Sequence, residues 1–149
     1  RALRAARNPV ATSPQVLAAG RAHFAHHCAS CHANDGSGNT EVGRGLYPKA
    51  PDMRLAATQA LTDGELFSII RNGTRLTGMP AWGSGTPEDD LGTWGLVRFI
   101  RHLPRISEEE LDEMRQLNPR SPAEIEKERE IERFLAGERS PVGGSGHKH

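Results

Sequence analysis

The two cysteines of this 149-residue chain lie in one short segment, Cys28-Ala29-Ser30-Cys31-His32. Two thiols separated by two residues and followed at once by a histidine form the pattern through which a c-type haem is attached covalently. Each thiol adds to one of the two porphyrin vinyl groups, and the imidazole of the next residue then lies under the macrocycle. The segment therefore predicts covalent links at Cys28 and Cys31 and an iron ligand at His32.

Three other uses of a Cys-x-x-Cys pair fit the chain less well. A thioredoxin-like redox pair belongs to a βαβ pattern, which this sequence lacks. A zinc site needs a second pair of ligands to complete the tetrahedron, and no second Cys-x-x-Cys or His-x-x-x-His pair follows. A disulfide between such close cysteines closes a tiny loop and would stabilise the fold very little. Haem attachment is the interpretation that the residue types favour.

A methionine is the second iron ligand to look for, since haem iron bound by His and Met is a common electron-transfer ligand set. Met79 lies in a glycine- and proline-rich loop, Thr77-Gly78-Met79-Pro80-Ala81-Trp82, from which its thioether could reach the open face of the iron. Met53, after a proline-rich turn, is the alternative ligand. Met114 lies in a charged helical segment, where we expect it to pack.

The composition predicts one modest domain with extensions. Hydrophobic residues make up 36% of the chain and charged residues 26%, so a bound haem would supply part of the missing apolar volume. A formal net charge of zero argues against a nucleic-acid partner. Because thiols are joined to haem outside the bacterial cytoplasm, we expect a periplasmic or extracytoplasmic protein. A removed export signal or membrane tether, and a monomer in solution, are part of this expectation.

Three helices are predicted between residues 13 and 105. Ser13 as N-cap and Pro14 as first helical residue begin a helix that runs into the cysteine segment. Capping sequences begin the other two helices, and glycine or proline ends them. The predicted spans are 13–27, 62–72 and 86–103.

The first and third of these helices are expected to cross. Gly20 would allow a close approach, with Phe24 on the same face of the first helix. The third helix is the most apolar, and the residues expected to meet that face are Trp94, Val97 and Ile100, with Phe99 and Leu103 beside them.

Residues 33–53 are predicted to form a loop in which glycines let the backbone lie close to a flat ligand. An axial imidazole should donate from its second ring nitrogen to a carbonyl, and we expect that acceptor within residues 47–51. The nearby His23, His26 and His27 are expected at the surface or at the haem edge, with one of them as an alternative ligand.

The C-terminal third of the chain is predicted to be a helical extension followed by a tail. Capping signals place helices from 107 to 117 and from 121 to 137. The extension, 106–137, is expected to lie across the haem domain or to dock on a partner. Residues 1–105 carry a net charge of +4 and residues 106–149 a net charge of −4. The tail, 138–149, is expected to be flexible, and its His147 and His149 could bind a copper or zinc ion weakly.

Taken together, the order of these features resembles that of a class I c-type cytochrome, and most of all the small bacterial monohaem cytochromes. The resemblance covers residues 13–105 and implies an all-α cytochrome c fold around one covalently bound haem c. It implies thioether links at Cys28 and Cys31, His32 as proximal ligand and Met79 as distal ligand. Trp82 and Tyr47 resemble aromatic residues that line the haem or bond its propionates.

The function implied by the resemblance is one-electron transport between redox proteins rather than catalysis. A respiratory complex, an oxidase or a periplasmic dehydrogenase would be the partner. Haem catalysis or gas sensing remains an alternative if the methionine ligand is labile. An accessory electron-transfer subunit, docked to a larger enzyme through the extension 106–137, is a further alternative.

Overall fold

The computed structural model describes residues 2–137 as helices joined by loops, and no β-strand occurs in this part of the chain. In chain order the helices are α1 (Pro14–His27), α2 (Ala29–His32), α3 (Glu41–Gly45), α4 (Ala56–Gln59), α5 (Asp63–Asn72), α6 (Pro87–His102), α7 (Glu108–Leu117) and α8 (Pro122–Leu135), with a 3-10 turn at Leu103–Arg105. The all-α prediction is confirmed. The tail 138–149, with His147 and His149, lies outside the described residues.

The longer helices begin where the capping signals predict. Ser13 Oγ accepts a hydrogen bond from the backbone N–H of Val16 at 3.1 Å. At the start of α5, Thr62 and Glu65 form a capping box, in which each side chain accepts from the other residue's backbone N–H, at distances of 3.1 and 2.8 Å. These contacts satisfy N–H groups that have no partner inside the helix. The predicted positions of the long helices are confirmed.

The segment 33–53, predicted as loop throughout, contains the short helix α3. Its N-cap is Thr40, whose hydroxyl oxygen accepts from the N–H of Gly43 at 2.8 Å. The same hydroxyl donates to the carbonyl of Cys31 at 3.0 Å. The threonine thus ties the start of α3 to the cysteine segment nine residues earlier, a contact for which the sequence carries no separate signal.

The crossing of α1 and α6 is close at Gly20. A Cβ atom on Gly20 would lie 2.8 Å from the Cβ of Phe99 and 3.1 Å from the carbonyl oxygen of Gly95. The rings of Phe24 and Phe99 pack beside this point with centroids 5.3 Å apart. The predicted crossing is therefore present, and the small residues on both helices permit it.

Trp94 was predicted to pack against α1 at this crossing, and the structure places its ring elsewhere. Its ring stacks on Phe67 of α5, with centroids 4.1 Å apart and planes inclined by 16°. Gly95 and Phe99 lie four residues apart and share one face of α6, whereas Trp94 lies on a neighbouring face. Both faces are apolar, so hydrophobicity alone did not distinguish the face that meets α1 from the face that meets α5.

Helix α7 packs against α1. Met114 is fully buried, as expected for a packing residue. Glu110 connects three helices, because it pairs with Arg21 of α1 at 3.0 Å and with Nε2 of His102 of α6 at 2.9 Å. Burial opposes ionisation of Glu110. The hydrogen bond from the backbone N–H of Ser107 outweighs this effect, together with the side chains of His102 and Arg21, so the pKa of this carboxyl is held below its usual range.

Among the described residues, 2–118 form one compact unit, and 119–137 belong to a second. The first unit therefore includes α7, which the sequence analysis assigned to the C-terminal extension. Its buried methionine and its ion pairs explain why α7 belongs with the helices before it.

The second unit contains α8, whose described residues are all exposed. Ion pairs along its surface, such as Arg133 with Glu126 at 2.8 Å, support the helix. Its apolar side chains, Ile125, Ile131, Phe134 and Leu135, are exposed. Within residues 2–137, no helix has the length and apolar character needed to cross a membrane.

Candidate functional site

A cavity of about 280 Å³ opens inside the first unit and is lined mostly by apolar side chains. Cys28, Cys31 and His32 lie on its wall, and so do Met79 and the alternative ligand Met53. The structure thus brings to one cavity the four predicted site residues and the methionine that competes with Met79.

The two cysteines are positioned by the end of α1 and by the turn of α2. The N–H of Cys28 closes α1 on the carbonyl of Phe24 at 2.9 Å. The N–H groups of Cys31 and His32 both donate to the carbonyl of Cys28, at 3.2 and 2.9 Å. This single helical turn sets the spacing of the two thiols and places the imidazole next to them.

The state of the thiols argues against a thioredoxin-like redox pair. Both cysteines are free, and burial together with the neighbouring Cys31 raises the pKa of Cys28 to about 12. Redox-active Cys-x-x-Cys pairs depend instead on a lowered thiol pKa. The raised pKa of Cys28 is therefore the opposite of what a redox-active pair requires.

The imidazole of His32 is half-buried on the wall of the cavity. Burial lowers its pKa, so the ring is held neutral, the form in which a ring nitrogen can bind a metal. Its Nδ1 atom is buried without a hydrogen-bond partner among residues 2–137. Buried polar atoms are normally hydrogen-bonded, so this ring is better explained by a ligand than by a structural role.

The carbonyl expected to accept from His32 within residues 47–51 is not in that position, and this prediction is wrong. The N–H of Ala50 donates to the carbonyl of Gly43 at 3.1 Å, and the carbonyls of Ala50 and Pro51 approach Gly38 closely. The carbonyls of Ala50 and Pro51 therefore lie against Gly38, and Nδ1 of His32 has no acceptor among residues 2–137.

Met79 is presented by a tight loop that follows α5. The N–H of Thr74 donates to the carbonyl of Met79 at 3.2 Å, and the N–H of Met79 donates to the hydroxyl of Thr77 at 3.2 Å. Within this loop Leu76 has a φ of +60° and is 99% exposed. The loop closes on itself and leaves the partly buried Met79 side chain against the core.

Met53 is held by backbone contacts on another side of the cavity. Its N–H donates to the carbonyl of Gly36 at 2.8 Å, and its carbonyl accepts from Nε2 of Gln59 at 2.7 Å. The side chain of Met53 is buried. It contributes to the apolar wall, and it stays the alternative to Met79 as a ligand.

Two aromatic residues implied by the resemblance occupy different positions. Trp82 lines the cavity, and its ring lies 5.5 Å from that of His27, which also lines it. Tyr47 is 94% exposed and does not line the cavity, so the expectation that it lines the haem is wrong, whereas a bond from it to a propionate stays a prediction. Its neighbour Leu46 lines the cavity instead, while the side chain of Tyr47 points outward.

Sequence reasoning missed much of the apolar wall. Part of the wall comes from α5 and α6, which supply Leu66, Ile69, Ile70, Leu96 and Ile100. In the sequence these residues show the apolar spacing of a helix face. That spacing indicates burial, but it does not tell whether the buried face meets another helix or a ligand.

The donor set and the cavity fit a c-type haem. Two thiols lie on one helical turn beside a neutral imidazole, and a thioether side chain lines the same apolar cavity. The apolar wall matches the buried faces of a porphyrin. Among residues 2–137, no cluster of three or more His, Cys, Asp or Glu side chains could hold a metal ion without such a group.

The family described as cytochrome C oxidase, cbb3-type, subunit III matches residues 15–100, more than half of the chain. The matched segment runs from the start of α1 to Ile100 in α6 and includes the cysteine segment and the Met79 loop. No curated protein matches the chain.

Proposed function

The chain belongs to the family described as cytochrome c oxidase, cbb3-type, subunit III, whose haem c domains transfer electrons, and from this premise we propose that it is a monohaem one-electron carrier. Cys28 and Cys31 bind the haem covalently, and His32 and Met79 are its axial ligands. The observation that carries the proposal is the meeting of these four side chains at one apolar cavity.

Each part of the cavity has a task in this proposal. The turn of α2 holds the two thiols at the spacing of the vinyl groups, and burial keeps His32 neutral. Haem iron supplies a couple that exchanges one electron between Fe(II) and Fe(III). The thioether of Met79 favours the reduced state more than a second imidazole would, and the apolar wall limits the access of water. Both effects favour a high reduction potential.

Electron transfer is favoured over haem catalysis because two protein ligands leave no coordination position for a substrate. Peroxidase-like chemistry also needs polar donors on an open distal face. Arg71, which precedes the Met79 loop, is engaged elsewhere, since its Nε lies 3.3 Å from a carboxylate oxygen of Asp90 and its guanidinium lies over the ring of Phe67.

The partners of the chain are redox proteins, and the family description points to an oxidase among them. Electron-transfer encounters are small and short-lived, which fits a monomeric carrier in the periplasm. The covalent attachment of haem, which takes place outside the bacterial cytoplasm, supports the periplasmic location. The precursor carries a membrane tether in one version of this proposal. The exposed apolar stripe of α8 is the candidate docking element if the chain works as an accessory subunit.

The proposal is tested by producing the protein in cells that carry out haem attachment and measuring its mass after denaturation. Wild type should retain one haem, and the variant with Cys28→Ala and Cys31→Ala should lose it on extraction. Carbon monoxide should not bind readily to the reduced wild type. Ready binding of carbon monoxide would favour catalysis or gas sensing, and wild type without covalent haem would overturn the proposal.

A further inference from the structure

Asn118, the residue after α7, joins the two ends of the haem-attachment segment. Its Nδ2 donates to the carbonyl of Ala25 at 2.8 Å and to Oδ1 of Asn34 at 2.8 Å. In return, Nδ2 of Asn34 donates to Oδ1 of Asn118 at 2.8 Å. Ala25 lies three residues before Cys28, and Asn34 lies two residues after His32. One amide therefore holds the chain on both sides of the segment and uses both of its N–H donors.

The backbone between His32 and Asn34 is strained. Ala33 has a φ of +62° and a ψ of 159°, a conformation that residues with a Cβ rarely adopt. Such strain persists only where the surrounding structure enforces it. Two contacts do so here: the amide pair of Asn34 with Asn118, and the bond from the N–H of Gly38 to the carbonyl of His32 at 2.7 Å.

Helix α7 provides a firm base for this contact. Met114 is fully buried, and Glu110 pairs with Arg21 of α1. The N–H of Asn118 donates to the carbonyl of Met114 at 3.0 Å, which continues the helical bonding to the asparagine itself. The family match ends at residue 100, so α7 and Asn118 lie outside the matched segment.

We propose that α7 is a brace for the haem-attachment segment and that Asn118 is a positioning residue for His32. By fixing Asn34, it maintains the strained turn at Ala33 and so sets the orientation of the imidazole that leads into the turn. A fixed imidazole keeps the same geometry in both oxidation states, which favours rapid electron exchange. The inference deepens the proposed function and rests on the binding of haem by His32.

The test compares Asn118→Ala and Asn34→Ala with a matched control, Asn8→Ala. Asn8 is also partly buried and also joins distant segments, since its Nδ2 donates to the carbonyl of Trp94 at 2.9 Å, but it does not contact the haem-attachment segment. Two readouts are measured on the haem-loaded protein: the paramagnetically shifted ring protons of His32 in the oxidised state, and amide hydrogen exchange at Gly38.

Both variants at the brace should move the His32 ring resonances and speed exchange at Gly38 by about fivefold, the factor expected for the loss of one hydrogen bond of average strength. Asn8→Ala should leave both signals unchanged even where it lowers global stability. Because glycine adopts the turn at position 33 without strain, Asn118→Ala should have a smaller effect when combined with Ala33→Gly.

Three results would overturn the brace. His32 resonances that are unchanged in both variants would remove the positioning role. If Asn8→Ala had equal effects, the role of Asn118 would be no more than a contribution to general stability. If Asn118→Ala had the same effect in a protein that also carries Ala33→Gly, the strained turn would not be what Asn118 maintains. Failure of the proposed function is distinguishable, because wild type would then retain no covalent haem.

Discussion

Replacing Gly20 by alanine is expected to destabilise the protein, although alanine is the better helix former. The added Cβ would lie 2.8 Å from the Cβ of Phe99. A Cβ atom cannot rotate out of the way, so α1 and α6 must move apart. Overpacking of this kind costs about 1–3 kcal/mol, against a gain of about 1 kcal/mol for alanine over glycine inside a helix. Because the contact involves an immobile atom, we expect a net loss of about 1–2 kcal/mol in the free energy of unfolding.

Gly92 on α6 is the matched control for this substitution. It is exposed, and a Cβ there would meet nothing within 4 Å. Gly92→Ala should therefore show the propensity gain alone and raise the free energy of unfolding by about 0.5–1 kcal/mol.

The assay for both variants is guanidinium unfolding of the haem-loaded protein, followed by far-ultraviolet circular dichroism. The denaturant midpoint should fall for Gly20→Ala and rise for Gly92→Ala, with unchanged slopes. A variant at Gly20 that is as stable as wild type would refute the close crossing of α1 and α6.

Two further predictions concern α7. Since the folded-state pKa of Glu110 is held below its ordinary value of 4.5, its carboxylate stabilises the fold above that value, and the contribution is lost as the pH falls through the folded-state pKa. Urea midpoints of wild type and Glu110→Gln should differ at pH 7 and converge in acid, and a constant difference would contradict this reasoning. Met114→Ala removes a fully buried side chain and should lower the free energy of unfolding by about 2–5 kcal/mol, whereas Leu117→Ala, at a partly exposed position, should cost much less. Equal losses in thermal or chemical unfolding would show that α7 is not anchored by Met114.

Much of the fold follows from local sequence signals. Serine or threonine N-caps, with Pro14 at the first helical position of α1, mark the starts of the long helices because they satisfy N–H groups in the first turn. The spacing of the two thiols in the cysteine segment is also determined locally, because one helical turn separates them. These features depend on residues close together in the chain, which is why sequence alone can predict them.

The contacts around the site depend on residues far apart in the chain. Asn34 and Asn118 are separated by 84 positions, and neither has a neighbouring residue that signals the pairing. The hydroxyl of Thr40 could cap a helix or remain in a loop, and its bond to the carbonyl of Cys31 depends on the packing of two segments.

Ligation of the iron by Met79 is the central claim, and the optical spectrum tests it most directly. Oxidised and reduced spectra of wild type should be low-spin, with a weak far-red band of the oxidised form that reports a methionine sulfur on iron. The band should vanish in Met79→Ala and persist in Met53→Ala, the control at the other methionine of the cavity. A band lost only in Met53→Ala would reassign the ligand, and a high-spin wild type would contradict the account of a closed one-electron carrier.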